Sequence, residues 1–242
     1  MDEHGHGRAL RRALWLVPAV ALLAGFGWYE NRTIRTSVYR LESARLPEAF
    51  SGLRIAQLSD LHGAVFGCEN ARLLAAVRGA EPDIIALTGD LADEYAPDDG
   101  LGAFLRALCE IAPVFYVTGN HEWVMPRAQR RALLALLDAC GVVRLQNEYR
   151  LLRRGGESIV IAGVDDPNGP LDQKTPAQLM REVRDGAGED AYVLMLAHRN
   201  DQLPLWAELG ADTVLCGHGH GGIIRLPILG PVFGTHYELF PD

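Results

Sequence analysis

LRIAQLSDLH, residues 53–62, joins an apolar run to a polar end that carries Asp60 and His62. The apolar run predicts a buried strand, and the apolar spacing behind it predicts a helix over 69–80. A strand that ends in polar residues and leads into a helix is the repeating unit of α/β folds. If this interpretation holds, the same unit recurs along the chain.

The unit recurs twice directly afterwards. PDIIALTGDL (82–91) predicts a second strand, with a helix over 98–110 behind it. PVFYVTGNHE (113–122) predicts a third strand, and Pro126 begins a helix that ends at Cys140, just before a glycine. Three such units in succession predict an α/β fold in which helices cover a sheet.

Beyond residue 141 the apolar segments become shorter. RRGGES (153–158) indicates a hairpin turn, and a loop rich in Pro, Asn, Gly and Asp occupies 165–175. The predicted elements are short strands within 142–164, a helix over 176–185, strands over 191–198 and 212–220, and one strand over 223–230 turned by Pro227. The strands over 191–198 and 212–220 both end in histidine, so they end in polar residues as the first three do.

The ends of these strands carry residue types that bind metals. The residues are Asp60, His62, Asp90, Asn120, His121, His198, His218 and His220. Because ligand sites of open α/β sheets lie at the carboxyl ends of the strands, we expect these side chains to meet there. Carboxylates, imidazoles and one amide, without a thiolate, suit two divalent ions such as Mn, Fe or Zn. The sequence therefore predicts a metal site.

The order of these motifs, D-x-H, G-D, G-N-H-E, H and G-H-x-H, resembles that of the calcineurin-like metallophosphoesterases. RIAQLSDLHG (54–63), PDIIALTGDLAD (82–93) and GHGHGGIIRLPILG (217–230) are similar to the membrane-anchored bacterial branch of that superfamily. The resemblance covers about residues 40–242, and it implies a two-sheet α/β sandwich flanked by helices. GDLADEY (89–95) lacks the G-D-x-V-D-R-G motif, which disfavours the phosphoprotein phosphatases.

The resemblance also implies a role for each residue of the site. It implies one metal ion on Asp60, His62, Asp90 and His220, and a second on Asp90, Asn120, His198 and His218. Asp90 would bridge the two ions, which two-metal hydrolases keep about 3.5–4 Å apart. A hydroxide that bridges the ions would attack phosphorus, and His121 would protonate the leaving oxygen or steady the transition state.

These features predict a dimetal phosphoesterase hydrolase of the phosphodiesterase or phosphatase class. The expected substrate is a phosphodiester, a phosphomonoester or a pyrophosphate, with a cell-envelope compound as the plausible source. Two alternatives stay open: a catalytically inactive metal-binding scaffold, and an inactive truncated fragment, because relatives continue through further strands beyond HYELFPD (236–242). His236 is expected at the surface or in the cleft rather than on a metal.

The N-terminus differs in kind from the rest of the chain. A basic tail of cytoplasmic type over 1–12 precedes ALWLVPAVALLAGFGWY (13–29), and a polar connector follows over 30–50. The uncharged run predicts a transmembrane anchor or, alternatively, a signal segment. We expect a single pass through the cell membrane and an extracytoplasmic catalytic domain, because exported relatives exist. The resemblance then implies a calcineurin-like metallophosphoesterase domain over 51–242, and we expect its last strands to be missing.

Composition restricts the partners. A chain of 242 residues that is 48% hydrophobic suits one α/β domain with a short appendage. The formal net charge of −8 argues against nucleic acid as a partner, since nucleic-acid binders usually present a basic face. The expected partners are a phosphoester substrate and, through 13–29, the lipid bilayer. The four cysteines form no C-x-x-C pair and predict separate thiols, although a disulfide stays open.

Overall fold

The computed structural model describes residues 17–18, 20–22, 24–30, 32–93, 100–222, 224–226, 230–234 and 238–240. The chain divides into two compact units, Met1–Tyr39 and Arg40–Asp242. The predicted tail over 1–12, part of the predicted anchor and loop residues 94–99 lie outside the described residues, as does His236.

The first unit is helical over 17–18, 20–22 and 24–30. Among the described residues, no helix combines the length and the apolar character that crossing a membrane requires. The anchor expected over 13–29 therefore stays a prediction.

The second unit begins with a parallel sheet. Its strands are β1 (Ile55–Leu58), β2 (Ile84–Thr88), β3 (Val114–Val117) and β4 (Val143–Arg144), in that order across the sheet. Every residue of β2 and β3 is buried. Continuous apolar runs of this kind are typical of parallel strands that are covered on both faces. The strands predicted within 53–62, 82–91 and 113–122 are thus confirmed, each in a shorter form.

Helices follow the strands of this first sheet. They are α1 (Ala71–Ala80), α2 (Leu101–Cys109), α3 (Asn120–Val124) and α4 (Arg127–Ala139). The helices α1, α2 and α4 are those predicted over 69–80, over 98–110 and after Pro126. The apolar pattern does not predict α3, a short helix that begins directly at a candidate ligand, Asn120.

A second sheet is mixed. It contains β5 (Glu148–Arg154), β6 (Glu157–Gly163), β7 (Val193–Leu196) and β8 (Thr213–Leu215), in that order. The pair β5–β6 is antiparallel, whereas β6–β7 and β7–β8 are parallel. Gly155 and Gly156 make the turn between β5 and β6 with positive φ angles of 57° and 85°, as the RRGGES stretch predicts.

The helices of this half are α5 (Pro176–Ala187) and α6 (Leu203–Glu208). Thr175 caps α5: its hydroxyl accepts from the backbone N–H of Gln178 at 3.2 Å, and its own N–H donates to the Gln178 side chain at 2.8 Å. This reciprocal pair is a capping box, which explains why the helix begins at Pro176.

The prediction of a single strand over 223–230 is wrong. The structure has two strands there, β9 (Ile224–Leu226) and β10 (Gly230–Phe233), and they pair antiparallel. Gly230 pairs with Leu226 and has a φ of 78°, so the chain has reversed by that point. A left-handed glycine permits such a reversal.

Three layers of side chains hold the fold together. The layer between the two sheets consists of Ile84, Ala86, Phe115, Val117 and Leu145 from the first sheet and Ile161, Leu194 and Leu196 from the second. The far face of the second sheet packs on α5 and α6 through Val160, Val193, Met195, Leu179, Val183 and Trp206. On the far face of the first sheet, Ile85, Leu87 and Tyr116 are also buried. The two sheets therefore form one rigid base for the loops that leave their strand ends.

Candidate metal centre

The predicted ligands follow the carboxyl ends of five parallel strands, three in the first sheet and two in the second. Asp60 follows β1, Asp90 follows β2, Asn120 follows β3, His198 follows β7 and His218 follows β8. Hydrogen bonds, ion pairs and ring contacts join these residues to one another and to His62, His121 and His220. The structure therefore brings together all eight residues that the sequence singles out.

The first ligand group contains Asp60, His62 and His220. Nε2 of His220 lies 3.4 Å from Oδ1 of Asp60 and 3.3 Å from Nε2 of His62, and the two rings stack with centroids 5.1 Å apart. Two donor atoms that bind one metal at about 2.0–2.2 Å lie about 3–3.5 Å apart. The facing Nε2 atoms require either a proton or a cation between them, so this group fits a metal ion.

The second group contains Asp90, His198 and His218. Nδ1 of His198 donates to the carbonyl oxygen of Thr88 at 2.8 Å, which leaves Nε2 for the site. That Nε2 lies 3.0 Å from Oδ1 of Asn120 and 3.2 Å from Oδ2 of Asp90. Three acceptor atoms that converge in this way repel one another unless a proton or a cation joins them. The donor set therefore fits a second ion.

Asp90 stands between the two groups. Its Oδ2 lies 3.2 Å from Nε2 of His198 in one group and 3.8 Å from Nε2 of His62 in the other. Its Oδ1 accepts from the backbone N–H of His121 at 2.9 Å, which fixes the carboxylate plane. With 1% of its surface exposed, Asp90 is a buried carboxylate that faces two sets of imidazoles.

Burial and neighbouring charges shift the pKa values of these groups in opposite directions. Burial alone would raise the pKa of Asp90, but the hydrogen bond and positive charge of His198 lower it overall. Burial would lower the pKa of His198, but Asp90 raises it overall. Burial, followed by the charges of Arg199 and His198, lowers the pKa of His218. The ionised Asp90 and the neutral His218 are the forms that bind metals.

A third group, which the sequence does not single out, forms around Asp93. Its Oδ1 lies 3.0 Å from Nδ1 of His62 and 2.8 Å from Nδ1 of His121. The Nε2 atoms of these rings lie 3.8 Å and 4.0 Å from Oδ2 of Asp90. These three residues could themselves hold an ion, but Asp93 is better explained as the acceptor that orients both rings towards Asp90. The only sequence feature that pointed to Asp93 is its position three residues after Asp90, in GDLAD (89–93).

The backbone at the centre adopts an unusual conformation. Five predicted ligands have positive φ angles between 47° and 67°, namely Asp60, His62, Asp90, His218 and His220. Such angles are uncommon for residues other than glycine and cost about 1–2 kcal/mol each. Hydrogen bonds hold part of this backbone, since the N–H of His218 donates to both oxygens of Asp60 at 3.1 Å.

Two glycines permit the close approach of these loops. A Cβ atom at Gly119 would overlap the carboxylate of Asp90 and lie 2.6 Å from its backbone nitrogen. A Cβ at Gly217 would overlap the hydroxyl of Ser59 and lie 2.6 Å from Oδ2 of Asp60. At the first glycine of the GNHE motif and of the GHGH motif, a larger residue therefore does not fit without movement of Asp90, Ser59 or Asp60.

Glu122, within the GNHE motif, holds backbone segments beside the centre together through hydrogen bonds. Its Oε2 accepts from the backbone N–H groups of Gly119 at 2.7 Å and Asp90 at 3.0 Å, and its Oε1 accepts from Leu91 at 2.7 Å. Burial and the charge of Asp90 raise its pKa, although the three backbone hydrogen bonds act in the opposite direction. Glu122 thus joins the loop after β2 to the start of α3.

Comparisons with known proteins agree with this geometry. The family model described as calcineurin-like phosphoesterase matches residues 53–222, which is more than half of the chain. The metallophosphoesterase YkuE of Bacillus subtilis (strain 168) is 28% identical over 98% of this chain and 84% of its own length. The phosphodiesterase YaeI of Escherichia coli (strain K12) is 27% identical over 86% of this chain and 72% of its own length.

Other relatives are longer than the part that aligns. The metallophosphoesterase YkoQ of Bacillus subtilis (strain 168) is 30% identical over 72% of this chain, but the alignment spans 63% of YkoQ. A Danio rerio protein named transmembrane protein with metallophosphoesterase domain is 27% identical over 74% of this chain and 42% of its own length. This chain thus spans less than two thirds of some relatives that it matches.

Proposed function

Because the chain belongs to the calcineurin-like phosphoesterase family, we propose that it is a metal-dependent hydrolase of phosphoesters. The observation that carries the proposal is the position of Asp90, whose Oδ2 lies within 4 Å of Nε2 atoms from both ligand groups, those of His198 and His62. One carboxylate can then take part in two metal sites, as two-metal hydrolases require. The substrate is a phosphodiester, a phosphomonoester or a pyrophosphate.

The metal ligands in this proposal are the residues that converge at the strand ends. One divalent ion is held by Asp60, His62, Asp90 and His220, and the second by Asp90, Asn120, His198 and His218. Imidazoles, carboxylates and one amide suit Mn, Fe or Zn. When bound, two such ions supply the positive charge that ionises an attacking water and neutralises the phosphoryl oxygens.

His121 acts as the proton donor to the leaving oxygen. Its Nδ1 contacts Asp93, so its Nε2 is the nitrogen that faces the centre, 4.0 Å from Oδ2 of Asp90. Its side chain is 39% exposed, which leaves it accessible to a substrate. An imidazole held at one nitrogen and open at the other can transfer a proton without losing its orientation.

The proposal also includes a membrane tether at 13–29, with the catalytic domain on the extracytoplasmic side. Its support is the uncharged run in the sequence and the Danio rerio relative with transmembrane in its name. A tether would hold the site near phosphoesters of the cell envelope, which are then the substrates to test first. Carbonate extraction of membranes and protease digestion of intact spheroplasts would test the tether and its orientation. Release by carbonate, or protection of the domain from protease, would contradict it.

Hydrolysis of chromogenic esters by the full chain tests the catalytic proposal. Bis-p-nitrophenyl phosphate and p-nitrophenyl phosphate would be assayed after metal removal and after addition of Mn²⁺. Asp90→Ala is the matched variant, because Asp90 alone belongs to both proposed metal sites. We expect turnover that requires Mn²⁺ and that the substitution reduces by at least about a thousandfold.

Two results would contradict the proposal. Turnover that survives both metal removal and the Asp90→Ala substitution would assign the reaction to other residues. A folded, Mn²⁺-loaded chain without turnover on either ester or on pyrophosphate would favour the inactive scaffold instead. Metal content and a thermal unfolding curve distinguish that chain from a misfolded one.

A further inference from the structure

Arg199, the residue after His198, is held rigidly beside the metal centre. Its Nε donates to Oδ2 of Asp166 at 2.7 Å, and its Nη2 donates to Oδ1 at 3.3 Å. The Asp166 side chain is completely buried, and the Arg199 side chain is 21% exposed. A two-point contact with a buried carboxylate fixes the plane of a guanidinium group. Asp166 therefore determines where the rest of that group points.

The third nitrogen of Arg199 points to the ligands. Nη1 donates to Nε2 of His218 at 3.3 Å, and His218 belongs to the ligand group of Asp90 and His198. A guanidinium has five N–H groups. The described residues provide acceptors for three of them, two on Asp166 and one on His218. One further N–H of Nη1 is thus available at the edge of the centre.

The ion pair with Asp166 compensates the charge of Arg199 on the side that faces away from the ligands. Two divalent ions on the proposed ligands would repel the guanidinium at short range. Asp166 offsets that repulsion from one side only, because it contacts the Nε and Nη2 edge. A phosphoryl oxygen between Nη1 and the ions would be attracted from both sides.

We propose that Arg199, positioned by Asp166, binds a phosphoryl oxygen and selects substrates with a terminal phosphate. This inference rests on the proposed function. A terminal phosphate has three unsubstituted oxygens, so two can face the metal ions and the third can face Arg199. A phosphodiester has only two such oxygens, and its ester oxygens are weaker acceptors. The substrate class is then a phosphomonoester or the terminal phosphate of a pyrophosphate, rather than a diester.

Variants of Arg199 separate substrate binding from support of the fold. Arg199→Lys keeps a positive charge beside Asp166, but an ammonium group cannot reproduce the planar fork that serves two partners. The double variant Arg199→Gln with Asp166→Asn removes both charges together, so no unpaired charge stays buried. Arg181→Lys, at an exposed position of α5, is the matched control.

Two measurements are made on the full chain with Mn²⁺. The first is kcat/KM for p-nitrophenyl phosphate and for bis-p-nitrophenyl phosphate, which share a leaving group. The second is calorimetric binding of inorganic phosphate, which does not depend on turnover. We expect both Arg199 variants to lose about 10- to 100-fold on the monoester and in phosphate affinity, but less than about threefold on the diester. The Arg181→Lys variant should match the wild type.

Each other result overturns the inference. Equal losses of kcat/KM on both esters would show that Arg199 stabilises the centre but does not bind the third unsubstituted oxygen of a terminal phosphate. Unchanged monoester turnover and phosphate binding would show that it does not contact substrate, while Mn²⁺-dependent turnover of the wild type would leave the proposed function intact. A wild type that binds no phosphate and hydrolyses neither ester would overturn both the inference and the proposed function.

Discussion

Nδ1 of His121 lies 2.8 Å from Oδ1 of Asp93, a contact between the GNHE loop and the loop after β2. Since Asp93 orients the rings of both His121 and His62, Asp93→Asn should lower kcat by about 10- to 100-fold, measured at saturating Mn²⁺ so that a weaker His62 site does not contribute. The loss should be larger for an alkyl leaving group than for p-nitrophenolate, because only the poor leaving group needs a proton. His121→Ala should show the same dependence, more strongly. Losses that are independent of the leaving group would contradict the role of His121 as proton donor.

Glu122→Gln should destabilise the protein by about 1–3 kcal/mol. The carboxylate accepts from three backbone N–H groups at 2.7–3.0 Å, and a glutamine amide would turn an N–H donor towards at least one of them. A buried donor without an acceptor costs about 1–3 kcal/mol. Denaturant unfolding measures the change, with Glu208→Gln at an exposed end of α6 as the control. Equal midpoints for the two variants would show that Glu122 does not support the loops.

Gly119→Ala should reduce metal binding at both proposed sites. The added Cβ would overlap the Asp90 carboxylate, so one of the two groups must move. Gly79→Ala is the matched control, because Gly79 lies in α1 with open space around the added atom. That control should stabilise the protein by about 0.5–1 kcal/mol. Calorimetric titration with Mn²⁺ and thermal unfolding measure the two effects, and unchanged Mn²⁺ affinity in Gly119→Ala would refute the steric argument.

Metal binding should raise the melting temperature. An ion at 100 times its dissociation constant stabilises the folded state by about 2.7 kcal/mol. The rise should be lost in Asp90→Ala, which removes the carboxylate proposed for both sites, and reduced in His198→Ala. Differential scanning calorimetry with and without Mn²⁺ measures it. An equal rise in the wild type and in Asp90→Ala would place the ions elsewhere.

The sequence predicts what depends on local patterns. The strand ends and the ligand types can be read from apolar runs that end in Asp, Asn or His, and the structure brings all of these residues together. The sequence does not predict contacts between loops that are distant along the chain. Asp93 contacts His121, and Asp166 contacts Arg199 across 33 residues. The prediction of a single strand over 223–230 is wrong for a related reason, since an apolar run does not show that Gly230 pairs with Leu226.

Asp60, His62, Asp90, His218 and His220 all have a left-handed backbone conformation. The residues proposed to bind metal therefore lower the stability of the folded chain. Glycine adopts that conformation without the penalty that a Cβ atom imposes. In a library of variants sorted only for heat resistance in the absence of metal, substitutions at these positions should therefore be enriched. The residues that such sorting discards first would be the ones that the hydrolase needs most.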